Sequence, residues 1–172
     1  MKDYIFNLRV PPTEFFKYSN NYEYQSDEIL KELSGSAKKK GYLTKEEFLK
    51  LCAWKTPRSK PQCAKNSEEL IKEITNIAFS TNLEQLRIEI LPILKGVGWP
   101  TASAILHFCH SGHYPILDFR ALYSLGYEET PVYNYSFWNA YTLCCRELSK
   151  QYKCDMRAVD RALWQYSKQH QN

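Results

Sequence analysis

No apolar run in the 172-residue chain is long enough to cross a bilayer, and Met1-Lys2-Asp3-Tyr4 leads into no hydrophobic segment of the kind that directs secretion. The six cysteines, Cys52, Cys63, Cys109, Cys144, Cys145 and Cys154, contain no CxxC pair and no regular framework, so free thiols in a reducing cytoplasm are expected. Only three of them, Cys144, Cys145 and Cys154, lie near the C-terminus. An iron–sulfur cluster needs four thiolates, so that cofactor is excluded. His107, His110 and His113 recur every third residue beside Cys109, but His113 falls beyond Gly112, where a helix should stop, and no carboxylate completes a metal-binding pattern. A solvated helix face followed by a polar loop explains them, with no metal.

What is present is the composition of a folded domain. Apolar residues make up 44% and charged residues 24%, which excludes a disordered chain, and the length suits one compact domain or two small lobes. The formal net charge is +4, yet residues 38–65 alone hold nine Lys/Arg against Glu46 and Glu47, an excess of seven positive charges. The remainder is therefore neutral to slightly acidic. One region carries any attraction to a polyanion.

Periodicity predicts an all-α fold. Tyr4, Phe6, Leu8 and Val10 alternate as a short extended segment that stops at Pro11-Pro12, and the aromatics Phe15, Phe16, Tyr18, Tyr22 and Tyr24 that follow are expected to pack across a lobe. A helix is expected from Asp27 to about Lys39, with Ile29, Leu30 and Leu33 inward. Thr44-Lys45-Glu46-Glu47 is a capping box, and Phe48, Leu51 and Cys52 give the next helix a buried stripe. Ser67 caps a helix through Phe79 with Leu70, Ile74, Ile77 and Ala78 on one face. Ser136 opens a helix lined by Phe137, Ala140, Tyr141, Cys144 and Leu148; Asp155 opens the last, with Met156, Val159, Leu163 and Tyr166 inward and Arg157, Asp160 and Arg161 as surface ion pairing.

The most informative stretch is Leu91 to Gly126. Leu83, Leu86, Ile90 and Leu94 fall at helical spacing before Gly96-Val97-Gly98, and Ala102, Ile105, Leu106 and Cys109 do so after it, with Pro92 breaking the first helix. Small residues Thr101 to Ala104 open the second helix, as close helix packing requires. Gly96 and Gly98 permit a tight turn whose main-chain N–H groups, aided by the helix starting near Trp99, suit one backbone phosphate. Gly112 to Leu122 then form a Gly/Pro loop ending in Asp118, which either caps a helix or supplies a carboxylate for chemistry. Trp54 could stack on a base, while Lys55 and Arg58 could hold phosphates.

This order of hairpin, helix, Gly/Pro loop and Asp resembles the helix-hairpin-helix/Gly-Pro-Asp superfamily of DNA glycosylases, and GVGWPTASAIL with PILDFRALYSLG is most similar to its small bacterial members. The resemblance implies a two-lobed helical fold, with residues 41–112 as the hairpin lobe, residues 1–40 plus 113–172 as the other, and a substrate cleft between them. It implies a monomer acting on double-stranded DNA in base-excision repair, gripped at Leu94, Lys95, Gly96, Val97, Gly98 and Thr101. Asp118 would be the catalytic carboxylate, and Trp99, Tyr114 and Arg120 would border the substrate pocket. No cofactor is required, the one optional ligand being a monovalent cation, K or Na, on the hairpin carbonyls. The alternative is a non-catalytic helix-hairpin-helix protein that binds DNA or a partner. Members that also cut the strand carry a lysine where this chain has Pro100. Schiff-base chemistry needs an amine, so the resemblance implies a monofunctional enzyme with water as the final nucleophile. Borohydride treatment with abasic DNA is therefore expected to trap no covalent adduct, as read on a denaturing gel.

Overall fold

The structure is a computed structural model that describes residues 4–23 and 27–171, apart from the side chain of Ile29; the expectations for Tyr24 and for an inward Ile29 lie outside these residues. Helix accounts for 68% of the described residues, and no strand occurs among them, so the fold is all-α. In chain order the helices are α1 (Phe15–Asn20), α2 (Glu28–Lys40), α3 (Lys45–Lys55), α4 (Lys60–Cys63), α5 (Glu68–Ser80), α6 (Glu84–Glu89), α7 (Trp99–Cys109), α8 (Phe119–Ser124), α9 (Tyr135–Tyr152) and α10 (Met156–His170). Short 3-10 turns occupy Pro12–Glu14, Pro57–Ser59 and Leu91–Ile93. Among the described residues no helix is long and apolar enough to cross a membrane.

Two compact units result, residues 25–112 and residues 1–24 with 113–172. Residues 25–40 were expected with the termini, but α2 packs on α7 and so belongs to the hairpin unit. In that unit α7 is the central element. Every residue from Thr101 to Leu106 is buried, and the run Thr-Ala-Ser-Ala lets α2, α3 and α6 approach closely. The capping box forms as expected: Thr44 accepts the Glu47 N–H, and Glu47 accepts the Thr44 N–H at 2.9 Å. Phe48, Leu51 and Cys52 are fully buried behind it. Ser67 caps α5, but the inward stripe is Ile71, Ile74, Thr75 and Ala78. Leu70 is exposed and Ile77 half-buried, because the stripe runs one residue later than the apolar pattern suggested. The helix before the hairpin is also shorter than its apolar spacing implied. Leu83 and Leu86 are exposed, whereas Arg87 and Ile88 face inward.

The second unit is built around α10, which packs on α1, α8 and α9. Phe15 of α1 stacks on Tyr152 at 3.9 Å, and Tyr18 meets Tyr166 edge-on. Tyr4 to Arg9 form no strand; the Asn7 and Arg9 N–H groups donate instead to Leu125 and Ser124 carbonyls at 2.7 and 2.8 Å. That approach needs Gly126, whose φ of +69° ends α8 and whose Cβ, were it present, would lie 2.8 Å from the Asn7 carbonyl. Asn134, not Ser136, caps α9, and Cys145 rather than Cys144 turns inward. Asp155 caps α10 as expected, but Asp160, expected at the surface, is buried, 5% exposed.

Glu47 links the capping box to α2. Burial works to raise its pKa, but the Lys40 ammonium at 2.7 Å, the Thr44 N–H and Ser36 outweigh burial and hold it at about 2. A depressed carboxylate stabilises above its unfolded pKa, and that stabilisation is lost as pH falls through the folded value. Glu47→Gln is expected to cost roughly 2 kcal/mol at pH 7, allowing for screening, with the difference vanishing between about pH 4.5 and 2. Urea unfolding of both proteins across this range checks it.

Candidate nucleic-acid interface

The hairpin is a turn between the Leu91–Ile93 helix and α7. Pro92 limits the first helix to a single turn, Val97 donates to the Leu94 carbonyl at 3.1 Å, and α7 follows with Pro100 in its first turn. Gly96 is required: its φ is +82°, and a Cβ there would meet Cys63 Sγ at 2.6 Å and the Cys63 nitrogen at 2.9 Å. Gly98 is not required for the same reason. It has φ −98° and ψ 177°, an extended conformation open to any residue, and a Cβ would meet only Pro100 at 3.8 Å. Gly98 is exposed and is the N-cap of α7, with no side chain capping the helix.

Asn66 holds the turn in place. Its side chain is 2% exposed, its Oδ1 accepts the Lys95 N–H at 2.9 Å, and its Nδ2 donates to the carbonyls of Lys95 and Cys63, each at 2.9 Å. The Lys95 N–H therefore faces inward rather than outward. The Leu94 and Lys95 carbonyls each accept a hydrogen bond from within the unit. Leu94, Val97 and Thr101 bury their side chains, with Thr101 Oγ1 3.2 Å from Thr56 Oγ1, so these positions offer only backbone to a ligand. Beneath the turn, Cys63 shares a thiol hydrogen bond with Cys52, which lowers its pKa while raising that of Cys52.

The basic run divides on folding. Lys40 pairs with Glu47 and Lys50 with Glu46. By contrast Arg58, Lys60 and Lys65 belong to the segment that packs under Gly96, and together with Lys95 they are exposed and form no ion pair among the described residues. Residues 48–67 and 90–112 contain no Asp or Glu, so no carboxylate from either segment offsets these charges. Trp54 is half-buried and meets Phe108 edge-on at 5.1 Å, which commits its ring to the unit's own packing; Lys55 beside it is half-buried.

In the other unit, Asp118 is half-buried and caps α8, accepting the Arg120 N–H at 2.9 Å. The loop before it is fixed by buried groups on two helices: Asp160 accepts the Ile116 N–H at 3.0 Å, and Tyr141 Oη donates to the Ile116 carbonyl at 2.8 Å. Burial, and then the charge of Asp118, raises the pKa of Tyr133. Tyr114 was expected in a pocket but is 2% exposed, stacked on Trp138 at 5.7 Å. Trp99 and Arg120 are half-buried. The histidines do not form a solvated face: His107 meets Phe108 edge-on, and His110 contacts buried Arg87 and accepts the Gly112 N–H at 2.8 Å. Burial, then Arg87, lowers the His110 pKa.

Sequence reasoning missed Asn66 and the bonds of Asp160 and Tyr141 to Ile116, and had no signal for them, since each acts on backbone distant in the chain. Lys60 and Lys65 were visible as charge but not as neighbours of the hairpin. No protein-family model matches the chain, and no curated protein or solved structure matches it. Asn66→Ala would leave the Lys95 N–H and carbonyl without partners and is expected to cost about 2–4 kcal/mol. Gly98→Val is expected to cost under about 1 kcal/mol, and Gly96→Val several times more. Thermal unfolding of the three variants checks this order.

Proposed function

We propose that this chain binds double-stranded DNA through the Leu94–Gly98 hairpin and acts as a monofunctional DNA glycosylase with Asp118 as its catalytic carboxylate. The observation that carries the DNA-binding part is the Asn66-held turn opening into the N-terminus of α7, which no side chain caps, beside Arg58, Lys60, Lys65 and Lys95. Backbone N–H groups at a helix start and the adjoining cations suit a phosphate, and such contacts position a duplex without reading its sequence.

For the chemistry, an ionised Asp118 would orient or deprotonate a water and stabilise the positive charge that develops on the deoxyribose as the base departs. Its loop is held from both sides of Ile116, which favours a defined carboxylate position. Pro100 supports hydrolysis over strand cutting. A second reading, a non-catalytic DNA-binding protein, is favoured by one observation: Asp118 already serves α8 as its cap.

Duplexes carrying uracil, alkylated, oxidised or mismatched bases separate the readings when released base is measured by mass spectrometry. Release by the wild type and its loss, by about 100-fold or more, in Asp118→Asn are expected; asparagine also caps helices, so the fold is retained. Binding without release across the panel would leave only the second reading. Gly98→Val is expected to weaken duplex affinity and to reduce its salt dependence, and unchanged affinity in a salt titration would remove the hairpin from the interface.

A further inference from the structure

Arg157, Arg161, Trp164 and Lys168 recur four, three and four residues apart, and so share one face of α10, away from inward Met156, Val159 and Leu163. On this face cations and rings alternate. Arg157 and Arg161 place their guanidinium carbons 4.9 and 5.5 Å from the Tyr22 ring centre, and Tyr22 meets Trp164 edge-on at 5.3 Å. From α8, the Arg120 guanidinium lies 5.4 Å from Trp164 and 5.2 Å from Phe119, while the Lys168 ammonium lies 5.6 Å from Trp164. Phe119, the residue after Asp118, is 61% exposed. Arg157 also donates to Tyr22 Oη, and Lys168 pairs with Glu23 at 2.7 Å; Arg120 makes no ion pair among the described residues.

A paired duplex presents phosphates and hides its base faces, so it would leave an exposed phenylalanine ring unused. An unpaired strand offers both. Rings stack bases irrespective of sequence, and interleaved cations take the phosphates. We propose that the α8–α10 face binds an unpaired DNA strand, with a base stacked on Phe119 and a neighbouring phosphate on Arg120. The proposal rests on the DNA-binding reading above and adds a substrate class to it: DNA containing a stretch of unpaired nucleotides. It also gives Arg120 a phosphate-binding role outside the hairpin unit.

Fluorescence anisotropy with three probes tests this: an oligothymidylate of about 12 nucleotides, a fully paired duplex of about 20 base pairs, and the same duplex with one bulged nucleotide. Phe119→Ala and Arg120→Ala are each expected to weaken binding of the single strand and the bulged duplex about tenfold, while for Phe119→Ala paired-duplex affinity stays within about twofold. Phe119→Tyr, which keeps a ring, should restore the affinity. Gly98→Val should show the converse, losing paired duplex first. Equal affinity of Phe119→Ala and wild type for the single strand would overturn the proposal, as would an equal loss on all three probes. Paired-duplex binding without single-strand binding would overturn it and leave the hairpin reading standing. Single-strand binding that depends on Phe119, with no paired-duplex binding, would support it and overturn the hairpin reading.

Discussion

The hairpin depends on a single buried amide. A turn of non-repeating backbone placed against a core must satisfy its own N–H and C=O groups, and at Lys95 both are met by Asn66, which also holds the carbonyl of Cys63. This bond set locks the turn onto the segment after α3. Gly96 completes the fit, because any side chain there would collide with Cys63. Contact between these two stretches of chain is what brings Lys60 and Lys65 to the hairpin.

The other unit solves the same problem with different residues. The Ile116 peptide, two residues before Asp118, gives its N–H to Asp160 and accepts from Tyr141, both buried and both on long helices. Asp118 therefore starts α8 from a fixed point rather than from a free loop. Its cap bond to Arg120 and a carboxylate role are compatible, since a carboxylate has acceptor capacity beyond one N–H. The same short helix projects Phe119 outward and turns Arg120 towards Trp164, so one cap starts the helix that directs both side chains.

Charge takes on a different meaning once the chain is folded. As a string, residues 38–65 form one basic run. Folded, Lys40 is spent on Glu47 inside the capping box and Lys50 on Glu46 along α3, while Arg58, Lys60 and Lys65 remain exposed beside the turn. The first pair contributes to stability and the second group to the field outside the protein. Arg157 and Arg161, expected only in surface ion pairing, also lie over the Tyr22 ring.

The amino-acid sequence by itself determined the all-α class, the caps at Thr44, Ser67 and Asp155, the break at Pro92 and the glycine at the hairpin. All are local, governed by torsions and by hydrogen bonds spanning a few residues. It also placed Asp118 at the head of a helix. Only the tertiary structure decided which apolar residues face inward on α5 and α6, that Tyr114 and Trp54 pack within their units, and that α2 belongs with α7. Those outcomes depend on the neighbour each face meets, which periodicity does not specify. The Asn66, Asp160 and Tyr141 bonds were beyond reach for the same reason: one buried polar side chain has no pattern, and its partner lies tens of residues away in the chain.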